Sequence, residues 1–163
     1  MKQVWMNHWF STAFNIIDLL RQDNPDIHII GSNENEYSVI KNGCDEWYQE
    51  PILKDDEYVE YCLEFCKEHE VDFFLPRRGM LKISEQKHRF IEQGVKVMMD
   101  DYRIVSILNH KEKAYEFFKE NSIGIVPDFY IFDQIFDSYV ESRLLFALSG
   151  SRPCRGYHIF IPS

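Results

Sequence analysis

Glycine is scarce in this chain, with seven in 163 residues. The segment after the first apolar run, Asn7-His8-Trp9-Phe10-Ser11-Thr12, holds none. A dinucleotide site needs G-x-G-x-x-G there, so that bare backbone can approach a pyrophosphate. The bulk of Trp9 and Phe10 at that place argues against NAD, FAD or an S-adenosyl-type cofactor. Long hydrophobic runs are also missing. No segment approaches the roughly 20 apolar residues of a membrane span. The opening MKQVWMNHWF lacks the apolar stretch and small-residue cleavage site of a signal peptide. These absences predict a soluble, cytoplasmic protein with no membrane partner.

Basic residues are outnumbered, 18 Lys and Arg against 27 Asp and Glu, for a formal net charge of -9. That balance excludes a general nucleic-acid binder, which needs a basic face. It leaves room for a local basic pocket, because Arg77 and Arg78 are adjacent and Arg152 and Arg155 lie close together. Cysteine is limited to Cys44, Cys62, Cys66 and Cys154. Cys62 and Cys66 are four apart, hence on one face of a helix. Only His69 stands near them as a further ligand, so they read as reduced core thiols and not as a metal site. His8, His28, His69, His88 and His158 are scattered and read as structural or surface residues. No Ser-His-Asp or Cys-His set can be argued from position, so no catalytic residue is assigned.

What is present is a globular composition, with 45% hydrophobic and 15% aromatic residues. A chain of this length buries roughly 70% of its unfolded surface, enough for a core without staples. Short apolar runs alternate with helical patterns. Residues 2–6 read as a strand. STAFNIIDLLRQ reads as a helix, with Ser11 or Thr12 as N-cap and Ala13, Ile16, Ile17 and Leu20 on one face. IHIIG is a second strand and SNENE a polar loop. A helical turn or two ending at Gly43 and an extended segment from Cys44 to Pro51 follow. DDEYVEYCLEFCKEHE is the clearest helix, with acids in its first turn and a Val59, Leu63, Cys66 stripe. VDFFLP and VKVMM are strands flanking a loop and one helix that stops at Gly94. Helices follow from DDYRIVSILNH and KEKAYEFFKENS.

This alternation predicts an α/β fold: a Rossmann-like, mostly parallel sheet with helices on both faces. Near residue 110 two helices adjoin and the alternation lapses. A boundary there gives one domain over 1–109 and the start of another over 110–163. The acid pairs Asp55-Asp56 and Asp100-Asp101 sit at helix starts. They read as caps and dipole partners before magnesium ligands.

Residues 71–127 resemble the junction between the N-terminal and ATP-binding domains of ATP-grasp enzymes. Carbamoyl-phosphate synthase large subunits and biotin carboxylases are the familiar members. The motifs are a strand ending at Pro76, a helix, a short strand, His110-Lys111, Phe117-Phe118, then Ser122-Ile123 and Pro127. IHIIGSNENE and Tyr48-Gln49-Glu50-Pro51 also look like the family's pre-ATP-grasp domain. His110 stands where the family usually has an acid.

The resemblance implies that Lys111 reaches the ATP phosphates, a role that suits a fixed cation. The plain alternative is an exposed lysine near a helix start. In FALSGSRPCRGYHIFIPS the pairs Ser149-Gly150 and Arg155-Gly156 match the family's phosphate-covering loop. Ala147 replaces the second lysine, and Pro153 has no N–H to offer. The same stretch also reads as an ordinary hairpin with a polar loop, and Arg152 as a substitute charge.

The complete enzyme would use ATP and Mg2+ to activate a carboxylate as an acyl-phosphate for attack by an amine. The family's magnesium-holding acids come later than Ser163. The expectation is therefore an N-terminal part of a carbon-nitrogen ligase that contributes to ATP and substrate binding but is incomplete alone. Its partners would be a small-molecule carboxylate and the remainder of the enzyme. The alternative is a non-catalytic, degenerate ATP-grasp module that binds a partner chain or forms a homodimer.

Overall fold

The computed structural model describes residues 1–8 and 11–124. They fall into two compact units, Met1–Asn109 and a second beginning at His110. In the first unit, β1 (Gln3–Met6), β2 (His28–Asn33), β3 (Glu46–Gln49), β4 (Phe73–Leu75) and β5 (Lys96–Val97) form one sheet. Its order is β3-β2-β1-β4-β5 and every pairing is parallel. Five helices accompany the strands: α1 (Thr12–Asp23), α2 (Asp55–Glu68), α3 (Met80–Glu85), α4 (Lys87–Glu92) and α5 (Tyr102–Leu108). A 3₁₀ turn spans Val39–Gly43.

Side chains alternate across the strands, so each strand feeds two cores. Val4, Met6 and Ile29 pack with Ala13 and Ile17 of α1 and with Ile40. Trp5, Ile30, Phe74 and Val97 pack on the other face with α2, Ile83 of α3 and Phe90 of α4. Helices thus lie on both faces of an α/β, Rossmann-like sheet. The indole of Trp5 stacks on Phe74, with centroids 4.1 Å apart and planes 9° apart, and lies 4.3 Å from Phe65. Each such side chain contributes roughly 1.5–3 kcal/mol by burial.

Several local expectations are refined. The helix expected to end at Gly94 is two helices, because the chain leaves helical geometry at Gln86 (φ -105°, ψ 17°). The Gln86 amide then donates to Asp56 at 2.9 Å instead of lying along a helix surface. The strand read from VKVMM is only Lys96–Val97. β2 runs on through Ser32 and Asn33, beyond the expected IHIIG; both are buried, with Ser32 Oγ bonded to Trp5 and Glu50 and Asn33 Oδ1 accepting from the Asn35 amide. Ser11 does precede α1, but its αR backbone gives no side-chain cap bond. In the second unit, α6 (Lys111–Glu120) follows His110.

Candidate functional site

Because all five strands run the same way, their carboxyl ends share one edge. Asn7 and His8 follow β1, Glu50 follows β3, and Pro76-Arg77-Arg78-Gly79 follow β4. Open α/β sheets bind ligands outside this edge, where the strand order reverses. Here the reversal lies between β1 and β4, so the segments after those two strands form the walls of the expected crevice.

A buried polar network fixes those walls. The Glu50 side chain is 0% exposed. Its Oε1 accepts from Ser32 Oγ at 2.5 Å, and Oε2 from the Tyr58 hydroxyl at 2.9 Å and Arg78 Nη1 at 2.7 Å. Ser32 Oγ in turn accepts from Trp5 Nε1 at 2.6 Å. A buried carboxylate is tolerated only when paired and hydrogen-bonded, and this one is both. Burial, aided by the nearby Glu50 charge, pushes the Tyr58 phenol far above its ordinary range, so it stays a donor.

Asn7 joins β1 to β4. Its Nδ2 donates to Tyr58 Oη at 2.7 Å and to the Arg78 carbonyl at 3.2 Å. Its Oδ1 accepts from the backbone N–H of Arg77 and of Arg78. The Arg78 guanidinium lies 4.1 Å over the Tyr58 ring, donates to the Leu53 carbonyl at 2.7 Å and pairs with Glu34. Gly79 has φ +66°, and a Cβ there would lie 2.7 Å from the Tyr58 ring. Only glycine lets the chain turn into α3 so close to that ring. The network is structural scaffolding: it sets where the two loops stand.

Two groups at this edge are not consumed by it. Arg77 is exposed, and its Nη1 has only a weak contact with Met80 Sδ at 3.8 Å. His8 is 8% exposed and its Nδ1 has no hydrogen-bond partner. Burial, and then the Arg77 charge, lower the His8 pKa, so the ring is neutral at pH 7. A separate groove of about 730 Å³ lies toward the amino-terminal ends of β1 and β2, lined by Lys2, Val4, Leu20, Ile27, Phe73 and Met98. It is largely apolar and away from this edge.

The residues singled out from the sequence are placed as follows. Lys111 is the first residue of α6 and is exposed. Ser149, Gly150, Arg155 and Gly156, with Ala147, Arg152, Pro153 and Cys154, lie outside the described residues, as do Trp9 and Phe10. Cys62 and Cys66 are buried free thiols on α2. Asp55 and Asp56 occupy the first turn of α2, and Asp56 pairs with Lys82 at 3.7 Å. Among the described residues no His, Cys, Asp and Glu group has metal-site geometry. Sequence reasoning missed Asn7, Ser32 and Tyr58 as site residues. Its only signals there were the Arg77-Arg78 pair and Glu50 within YQEP.

No protein-family profile matches the sequence, and no curated protein matches it. Solved structures do. The chain is similar to the biotin carboxylase subunit of pyruvate carboxylase, with TM-score 0.53 and 18% identity over 77% of this chain and 29% of that one. It is similar to N5-carboxyaminoimidazole ribonucleotide synthetase from Thermotoga maritima, with TM-score 0.55 and 16% identity over 86% of this chain and 36% of that one. A third likeness is to the biotin carboxylase domain dimer of Hydrogenobacter thermophilus 2-oxoglutarate carboxylase, at TM-score 0.52 and 18% identity over 77% of this chain. That structure contains MgADP, ADP and bicarbonate. The chain spans about 28% of that domain's length. At these identities the likeness establishes the fold alone: the described residues share a Rossmann-like α/β fold with these structures.

Proposed function

We propose that the chain is part of an ATP-grasp carbon-nitrogen ligase resembling carbamoyl-phosphate synthase large subunit. In that reading it works in the cytoplasm. The first unit supplies the substrate side of the cleft, through the carboxyl edge of β1 and β4. Lys111 supplies the first contact to the ATP phosphates. The observation that supports this best is the fold shared with biotin carboxylases, joined to the His110-Lys111, Phe117-Phe118 and Ser122-Ile123 motifs.

The residues present suit a nucleotide in part. Lys111 is an exposed cation at the start of α6, and phosphate charge favours a cation held at a fixed position. Ser149, Gly150, Arg155 and Gly156 complete the phosphate-covering loop in this reading. Magnesium ligands are not assigned to this chain. When bound, MgATP supplies the phosphoryl group that activates a carboxylate; the chain's own part is to hold phosphates and orient the substrate. The remainder of such an enzyme and a small-molecule carboxylate are the proposed partners.

Calorimetry with MgATP on the wild type and on Lys111→Ala tests this. Binding by the wild type that is lost in the variant supports it. No binding by either favours the second reading, a non-catalytic degenerate module for partner binding or dimerisation. Ala147 in place of the family's lysine, and Pro153 without an N–H, speak for that alternative. ATP-dependent ligation by residues 1–163 alone would overturn both.

A further inference from the structure

We draw no further inference here: the strongest candidate, the apolar groove beside α1 over Val4 of β1 and Phe73 and Leu75 of β4, is rimmed by charges of both signs at Lys2, Asp23 and Asp26, and nothing in the structure shows what covers it.

Discussion

Arg78 and Glu50 form the one ion pair among the described residues that has a wholly buried member. Nη1 donates to Oε2 at 2.7 Å, and the carboxylate side chain has no exposure. The pair ties the segment after β4 to the segment after β3. Arg78→Ala would leave Glu50 with only two hydroxyl donors for a buried charge. The expected loss is about 3 kcal/mol, the lower end for breaking a buried pair, because Arg78 is partly exposed. Urea denaturation of the two chains measures it. A loss below about 1 kcal/mol would show that Ser32 and Tyr58 hold the carboxylate without the guanidinium.

Gly79 and Gly94 both have positive φ, +66° and +86°. A Cβ at Gly94 meets nothing within 4 Å, whereas at Gly79 it meets Tyr58 Cδ1 at 2.7 Å and Cε1 at 2.8 Å. Gly94→Ala should cost about 1–2 kcal/mol, from backbone conformation alone. Gly79→Ala should cost at least about 1 kcal/mol more, because Tyr58 is held by Glu50 and Asn7 and cannot step aside freely. Equal losses in thermal or urea unfolding would mean that the ring yields.

His8 gives the protein a pH dependence in the neutral range. Its folded-state pKa lies below the ordinary 6.5, chiefly through burial and then through Arg77. Between those two pKa values the unfolded chain binds a proton that the folded chain refuses. Stability is therefore full above pH 6.5 and falls as the pH drops through that value, by at most about 1.4 kcal/mol per pH unit. His8→Gln should flatten that part of the stability–pH curve. A separate loss belongs to more acid solution. Asp72, held low by its bond from Lys2 and by the Gln3 amide, must there take up a proton. If the wild-type curve is flat from pH 7.5 to 5.5, His8 is not the neutral, desolvated group found here.

The α2 thiols should be chemically silent. Burial pushes Cys62 and Cys66 well above the ordinary thiol range, and pushes the half-buried Cys44 up to about 11. The thiolate is the reactive form. A disulfide-exchange reagent at pH 8, read by peptide mapping, should label Cys62 and Cys66 only as fast as the chain unfolds. Prompt labelling of either would contradict the packing of α2 on the sheet.

Much of the fold was legible in the sequence because hydrophobic periodicity reports it directly. Val4, Trp5, Met6 and Ile29, Ile30 are contiguous apolar runs, as expected of strands covered on both faces. The Val59, Leu63, Cys66 stripe marked the buried side of α2, and Tyr58, Cys62 and Phe65 widen it. The break at Gln86 was not legible, because nothing in KISEQKHRF forbids a continuous helix. A tertiary bond from Gln86 to Asp56, 30 residues away, accompanies it.

The candidate site was legible only in fragments. Sequence picked out the Arg77-Arg78 pair but gave both residues one meaning. The structure separates them, with Arg78 bound to a buried carboxylate and Arg77 facing outward.

Sequence by itself determined the layered α/β architecture and the absence of a glycine-rich turn after β1, because both are properties of neighbouring residues. Only tertiary structure decided that Asn7, Ser32, Glu50, Tyr58 and Arg78 are one network. Their partners are up to 71 positions apart in the chain. Parallel pairing brings those strand ends to one edge, and no local pattern encodes which distant polar groups must meet there to leave a buried charge satisfied.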